Sequence, residues 1–167
     1  MITRNDIISF IARGKIVDIG CNIGLTFGDR ATNVDRYSLE ELRKEANDPN
    51  LVIPNFVQAH AEDLPFEDLE YDWAVLSELL EHTKDPLLVL NEAQRVAKYV
   101  LICVPNEYEW DEQFKPFTHY DHINNFTEPS FKKLIKDSGL ILLEFIKLNY
   151  AGWAYFISVG ASKNFQV

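Results

Sequence analysis

The sequence has little of what marks membrane or secreted proteins. Its 167 residues include two cysteines, Cys21 and Cys103, without metal-ligand spacing, so neither a disulfide framework nor a cysteine metal site is expected. No apolar run approaches the roughly 18 residues of a membrane span. No small-residue cleavage site follows the short N-terminal apolar patch, so we expect a cytoplasmic protein.

Positive charge is also scarce. Lys and Arg total 16 against 26 Asp and Glu, which gives a formal net charge of −10. Because binding along a nucleic acid backbone needs clustered cations, the composition argues against nucleic acid as a partner. The chain shows no internal repeat or low-complexity segment, and its length suits one domain over residues 1–167.

Apolar runs of strand length alternate with stretches of helical character. The predicted strands are residues 15–19, 31–35, 55–60, 71–77, 99–105, 140–148 and 153–161. The predicted helices, each begun by a capping residue, are residues 38–48, 85–98 and 127–139. This alternation predicts an α/β fold with a mostly parallel sheet between helices. The short link between the last two strands predicts an antiparallel C-terminal hairpin.

The segment KIVDIGCNIG, residues 15–24, joins an acid-bearing strand to a glycine turn. In doubly wound sheets, ligands bind beyond the carboxyl ends of the strands. Glycine in such a turn lets the backbone approach the ligand closely. Asp18 can therefore accept hydrogen bonds from a polar or cationic ligand group. The alternative is an ordinary strand-to-turn junction in which Asp18 only caps backbone amides.

A second acid, Asp35, ends the next predicted strand, where a carboxylate commonly accepts ribose hydroxyls. Gly20 and Gly24 have the spacing G-x-x-x-G rather than G-x-G-x-x-G, and the turn contains no Lys or Arg. Both facts favour a ligand that is not a diphosphate. They argue against a reductase that binds a nicotinamide dinucleotide.

Five segments in order resemble the class I S-adenosylmethionine-dependent methyltransferases: VDIGCNIG, NVD, HAEDLPF, YDWAVLSELLEHTKDP and VLICVPN. A later segment, HYDHINNFTEPSFKKLIKDSGL, resembles the same family, and the resemblance covers roughly residues 14–161. It implies a three-layer Rossmann-like methyltransferase fold with S-adenosylmethionine as the cofactor. It also implies methyl transfer, for which we expect a small-molecule or glycan-like acceptor.

The same resemblance assigns roles to individual residues. The residues implied at the methionine end of the cofactor are Asp18, Gly20, Asn22 and Gly24, with Asp35 at the ribose. Those implied beside the adenine are Ala61, Glu62 and Asp63. Those implied on the methionine and sulfonium side are Ser77 and Glu78.

Two departures from the family pattern lie near the first turn. Asn22 replaces the central glycine, although asparagine tolerates positive φ better than most residues. Only ten residues separate Gly24 from Asp35, so we expect the helix between the first two strands to be reduced. One sheet face would then be thinly covered. A homodimer could cover it, or the protein could remain monomeric with a more open pocket. The departures also allow a cofactor-binding protein without catalytic activity, with a role in regulation or assembly.

The chain has four histidines, and three of them are candidate catalytic residues. The resemblance places His82 near the reacting methyl group, and the motif HYDH supplies His119 and His122. This pair can act as a general base with an orienting acid, bind a divalent metal, or only cap the loop. We predict no metal centre, because metal sites usually need more well-spaced ligands. The aromatic segment 107–122 is predicted to be a lid, or else packing over the sheet edge.

Overall fold

The structure, a computed structural model, describes residues 3–24, 26–111 and 121–165. The strands, in chain order, are β1 (Ile16–Ile19), β2 (Ala31–Asp35), β3 (Phe56–Gln58), β4 (Tyr71–Ser77), β5 (Ala97–Pro105), β6 (Ile141–Tyr150) and β7 (Trp153–Ala161). The α-helices are α1 (Arg4–Ile11), α2 (Leu39–Glu45), α3 (Pro86–Val96) and α4 (Glu128–Ser138). Every strand and helix predicted from the sequence is present, with ends that differ by a few residues at most.

The strands form one sheet in the order β3-β2-β1-β4-β5-β7-β6. Strands β1 to β5 run parallel, whereas β7 pairs antiparallel with both β5 and β6. This confirms the predicted α/β Rossmann-like fold with its antiparallel hairpin. The strand order reverses between β1 and β4, and ligands bind beyond the carboxyl edge of the sheet at such a point.

Three helices begin at residues that the sequence marks as caps. Ser38 and Glu41 form the capping box of α2, in which each side chain accepts a hydrogen bond from the other residue's amide. Asp85 caps α3, with Pro86 in its first turn, and Thr127 caps α4. These local signals explain why the helix starts could be predicted. Among the described residues, no helix has both the length and the apolar character needed to cross a membrane.

Helices α3 and α4 cover one face of the sheet. Leu90 of α3 and Phe131 of α4 are fully buried in one cluster with Ala74 and Ile102 of the sheet. The ring of Phe131 stacks on that of Phe156 in β7, with 6.1 Å between the ring centroids. Burial of this apolar surface is the main force that holds the helices to the sheet.

The connection between β1 and β2 is short, as the sequence predicts. Its described residues form a single 3-10 helix, Gly28–Arg30, and no α-helix. The buried amide of Asn33 donates hydrogen bonds to the carbonyls of Gly28 and Pro54, at 2.8 and 2.7 Å. A side-chain amide therefore anchors a connection that has no packed helix.

Helix α1 covers the sheet face that the short connection leaves open. From the sequence, this segment is only a short apolar patch, and the helix corrects that interpretation. Ile8 and Ala12 are fully buried and pack in one cluster with Leu101 and Ile157 of the sheet. The N-terminal segment thus covers the sheet face that, from the sequence, a second copy of the chain could cover. The homodimer stays a prediction.

Candidate functional site

The turn after β1 brings bare backbone to the carboxyl edge of the sheet. Gly20 and Gly24 have φ values of 74° and 70°, and Asn22 between them has a φ of 49°. Glycine adopts this left-handed backbone freely, and asparagine adopts it more readily than other residues. The amides of Gly20 and Cys21 both donate to the carbonyl of Val34, at 2.8 and 2.9 Å. The turn is therefore tied to β2.

Asp35, the last residue of β2, fixes the same turn through its carboxylate. Its Oδ2 accepts a hydrogen bond from the amide of Asn22 at 2.9 Å, and its Oδ1 accepts one from the amide of Tyr37 at 3.0 Å. Each carboxylate oxygen can accept more than one hydrogen bond. Asp35 can consequently hold the turn and bind the hydroxyl groups of a ligand at the same time.

A cavity of about 620 Å³ opens at this edge of the sheet, a volume typical of small-molecule and cofactor sites. The residues predicted from the sequence that line it are Gly20, Asn22, Asp35, Ala61, Glu62, Glu78 and His82. The predicted residues that the structure places outside the lining are Asp18, Gly24, Asp63, Ser77 and His122. His119 and most of the predicted lid segment lie outside the described residues.

Asp18 lies in β1, directly before the lining residues Ile19 and Gly20. It is 3% exposed. Burial, and to a lesser degree the charge of Asp35, raises the pKa of Asp18 to about 7. At neutral pH the carboxyl is therefore divided between its protonated and ionised forms. A cationic group bound in the cavity would favour the ionised form.

Gly20 allows Leu79 to close over the turn, since a Cβ on Gly20 would lie 2.7 Å from Cδ1 of Leu79. We expect Gly20→Ala to lower the free energy of unfolding by about 1–2 kcal/mol, because alanine is strained in left-handed backbone. It should also displace Leu79 from the cavity wall and weaken ligand binding. Gly28→Ala, where φ is 59° and the new Cβ meets nothing within 4 Å, is the matched control in urea denaturation and binding assays. Equal binding by the two variants would contradict the role of the Leu79 contact.

The loop after β3 forms another part of the wall. The lining residues of this loop are Ala59, His60, Ala61 and Glu62. Arg95 of α3 holds the far side of the loop, because its guanidinium donates to the carbonyls of Leu64 and Phe66 at 2.9 and 2.7 Å. The motif HAEDLPF is thus a wall segment that α3 fixes in place.

Glu78 links the cavity to the N-terminal helix. It follows β4 with a φ of 54° and lines the cavity. Its carboxylate forms an ion pair with Arg4 of α1, and the Arg4 guanidinium lies 5.2 Å from the ring centroid of Tyr155. Helix α1 therefore reaches the candidate site, a contact that no local sequence signal predicts.

His82 and His122 come together beside the turn after β4. The amides of Ile123 and Asn124 donate to the carbonyl of Glu81, at 2.9 and 3.0 Å. These bonds dock the second half of the HYDHINN segment onto the LEH turn. The two imidazole rings meet edge to face, with 4.6 Å between their centroids.

Carboxylates surround the two rings. Nδ1 of His122 contacts Oε1 of Glu107, and both side chains are 8% exposed. Nδ1 of His82 lies 3.3 Å from Oδ2 of Asp121. Glu81 is fully buried, and this burial is the main cause that raises its pKa to about 8. Glu81 and Glu107 were not predicted as site residues, since a glutamate outside a strand or helix gives no sign in the sequence that it is buried.

Two aromatic residues of the predicted lid segment, Tyr108 and Trp110, lie among the described residues. Trp110 is buried, and its Nε1 donates to the carbonyl of Ala154 at 3.1 Å. Its ring packs edge to face on Trp153, with 4.6 Å between centroids. Tyr108 is exposed. Trp110 thus fits the second interpretation, packing over the sheet edge.

Solved structures of methyltransferases share this fold. One is an S-adenosylmethionine-dependent methyltransferase from Aquifex aeolicus, with a TM-score of 0.71, 15% sequence identity, and coverage of 96% of this chain and 90% of that one. Another is an S-adenosylmethionine-dependent methyltransferase from Methanosarcina mazei, with a TM-score of 0.64, 20% identity, and coverage of 93% and 96%. At these identities the likeness shows the fold alone.

Sequence comparison extends the likeness beyond the fold. The chain is 33% identical over 106 residues to the ubiquinone/menaquinone biosynthesis C-methyltransferase of Rickettsia felis. That match covers 62% of this chain and 41% of the relative, so the chain spans less than half the length of the curated relative it matches. Residues 5–144 match the family model described as a methyltransferase domain, a range that includes the β1 turn, Asp35 and both histidines of the cluster. This chain therefore belongs to the methyltransferase domain family.

Proposed function

We propose that this protein is an S-adenosylmethionine-dependent methyltransferase that acts on a small-molecule or glycan-like acceptor. The observation that carries the proposal is Asp35, a carboxylate at the end of β2 that borders both a glycine turn and the cavity. A carboxylate at this place suits the ribose hydroxyls of a nucleoside. Membership of the methyltransferase domain family supports the same function.

The residues around the cavity fit the cofactor from one end to the other. In this proposal Gly20 and Asn22 border its methionine end, with the carboxyl of Asp18 behind them. Ala61 and Glu62 border the adenine. The residues that act from outside the lining, by shaping the turn and the loops, are Gly24, Asp63 and Ser77. When bound, the cofactor supplies an electrophilic methyl group on its sulfonium.

The acceptor belongs at the opposite end of the cavity, near the histidine cluster. The lining residues there are His82, Thr83, Lys84, Asp121 and Ile123. A hydroxyl or amine acceptor loses a proton when it is methylated. His82, on the cavity wall, and His122, beside it, are the groups that we propose promote this loss. His119 stays a predicted catalytic residue.

Calorimetry with S-adenosylhomocysteine tests the cofactor assignment. We expect saturable binding of one ligand per chain, and no binding of NAD⁺ under the same conditions. Failure to bind S-adenosylhomocysteine would overturn the proposal. Binding of NAD⁺ instead would favour a nicotinamide-dependent enzyme.

Transfer of a radioactive methyl group tests the reaction. Small molecules, glycans and compounds from ubiquinone and menaquinone biosynthesis form the acceptor panel, since the curated relative is named for the last class. We expect labelled product from at least one acceptor. Asn22 and the short β1–β2 connection also support a second candidate, a cofactor-binding protein without catalysis. Binding without transfer to any acceptor or cell-extract fraction would favour that candidate.

A further inference from the structure

We propose that Glu81, His82 and His122 bind one divalent cation at the acceptor end of the cavity. One ligand atom from each of these side chains lies within 4.8 Å of the other two. Around a single cation with bonds of about 2.1 Å, neighbouring ligand atoms lie about 3.0–3.4 Å apart in octahedral or tetrahedral geometry. Small side-chain rotations are therefore enough to bring all three onto one ion. This proposal replaces the sequence-based prediction of no metal centre.

The carboxylate of Glu81 is buried in a place where a cation could neutralise it. Its side chain is 0% exposed, and neither carboxylate oxygen accepts a hydrogen bond from another residue in the part of the chain that the structure describes. A buried carboxylate without a partner is strongly unfavourable. A cation would supply the partner, in a place where the backbone is already fixed by the bonds from Ile123 and Asn124 to the Glu81 carbonyl.

One ring nitrogen of each histidine contacts an oxygen atom, as is common for histidines that bind metals through the other nitrogen. Nδ1 of His122 contacts the Glu107 carboxylate, and Nδ1 of His82 lies 3.4 Å from the carbonyl oxygen and 3.3 Å from the carboxylate of Asp121. Such contacts to one ring nitrogen fix the tautomer and direct the other nitrogen to a metal. In the proposed site, Nε2 of each ring binds the cation.

The ligand types indicate which cations fit. Two imidazoles and one carboxylate suit Zn²⁺, Co²⁺, Mn²⁺ or Fe²⁺ better than Ca²⁺, which prefers oxygen ligands. Three protein ligands also leave coordination positions open for water or a substrate atom. The set therefore resembles catalytic rather than structural metal sites in its ligand number.

The place of the site suggests what the cation does, and this step rests on the proposed function. Because His82 also lines the cavity, an acceptor oxygen can reach a cation held there. A bound hydroxyl loses its proton to water more readily. The acceptor oxygen then bonds to the methyl carbon as the carbon–sulfur bond breaks, and that bond's electron pair stays on sulfur. Hydroxyl compounds are consequently the acceptor class we expect.

Cobalt titration tests the site without any cofactor or acceptor. The protein is first freed of metal with EDTA and desalted, then titrated with CoCl₂ while visible absorption and heat are recorded. We expect one saturable Co²⁺ site per chain, with absorption bands of nitrogen and oxygen ligation. ZnCl₂ should displace the cobalt with loss of those bands.

Variants separate this site from weak surface binding. Glu81→Gln and His122→Gln should abolish detectable Co²⁺ binding, and Glu107→Gln should weaken it by about 10–100-fold, as for loss of a supporting carboxylate. His60→Gln, at the adenine end of the cavity, is the control and should bind Co²⁺ as the parent does. His82→Gln, whose side chain is 30% exposed, replaces any buried variant that fails to fold.

Two results would overturn the inference: no saturable binding by the parent protein, or unchanged binding by a folded variant at any of the three ligands, Glu81→Gln, His82→Gln or His122→Gln. S-adenosylhomocysteine calorimetry in EDTA is run beside the titration. Binding of S-adenosylhomocysteine without binding of cobalt would contradict the cation site but not the proposed methyltransferase activity. Cobalt binding without cofactor binding would leave the site in place and overturn the proposed methyltransferase activity.

Discussion

Asp18→Asn is expected to make the protein more stable at pH 8 and a weaker binder of S-adenosylhomocysteine. The folded state raises the pKa of Asp18 to about 7, because the carboxyl is buried and lies near Asp35. In the unfolded chain the pKa of an aspartate is about 3.9. The folded state therefore holds its proton more tightly, and stability falls as pH rises from about 4 to about 7.

Above pH 7 both states are ionised, and the folded protein carries a buried carboxylate. Asparagine is neutral, so it removes the free-energy cost of keeping an ionised carboxyl buried. For a pKa difference of about three between the folded and unfolded states, this cost is at most about 4 kcal/mol. Below pH 4 both states are protonated, so the gain should vanish there. Urea denaturation at several pH values measures this difference between the parent and Asp18→Asn.

Asp72→Asn provides the matched contrast. Asp72, at the other end of the sheet, accepts hydrogen bonds from Lys98 Nζ and the Lys15 amide, which lower its pKa. Its replacement should destabilise the protein slightly at neutral pH, opposite in sign to Asp18→Asn. If Asp18→Asn were destabilising at pH 8, the carboxyl would be held by interactions that outweigh its burial.

Affinity should change in the opposite direction to stability. S-adenosylhomocysteine carries an ammonium group, and the ionised Asp18 behind the glycine turn would attract it. We expect Asp18→Asn to weaken binding by about tenfold, or roughly 1.4 kcal/mol. For the parent, affinity should rise as pH increases through 7, whereas the variant should show no such rise. If Asp18→Asn is more stable but binds S-adenosylhomocysteine with the parent's affinity, the assignment of Asp18 to the binding site is wrong.

Asp35→Ala is expected to reduce affinity for S-adenosylhomocysteine more than any other single change in the cavity wall. The substitution removes the acceptor for the Asn22 and Tyr37 amides, and with it the proposed ribose contact. Hydrogen bonds to a charged group contribute about 1.5–3 kcal/mol each, so a loss of about 100-fold in affinity is reasonable. Isothermal titration calorimetry at pH 8 measures it.

The control for charge alone is Glu45→Ala. Glu45 is an exposed carboxylate that also lines the cavity. Its removal lowers the negative charge of the wall by the same amount but breaks none of the hydrogen bonds that hold the glycine turn. We expect a small change in affinity. Unchanged binding by Asp35→Ala, or an equal loss in Glu45→Ala, would contradict the ribose assignment.

The sheet and the first half of the site could be predicted because their signals are local. Apolar runs set the strands, Ser38 and Asp85 mark helix starts, and Gly20 and Asp35 sit at strand ends. In a parallel sheet the carboxyl ends share one edge, so these residues had to come together. The cofactor end of the cavity follows from that geometry.

The second half of the site depends on contacts between distant segments. The amides of Ile123 and Asn124 donate to the carbonyl of Glu81, and Glu107 reaches His122 from the segment that follows β5. Neither contact has a periodic or spacing signal. Helix α1 was missed for a different reason. Its Thr3–Asp6 capping box could be recognised, but the isoleucines that follow favour strands as much as helices.

Helix α1 covers the sheet face on which a helix between the first two strands would pack. Its first residue, Arg4, forms an ion pair with Glu78 of the cavity wall. The opening residues of the chain are consequently part of the pocket's framework and of its charge. A substitution at Arg4, outside the cavity lining, would therefore change the charge of the cavity wall through its ion pair with Glu78.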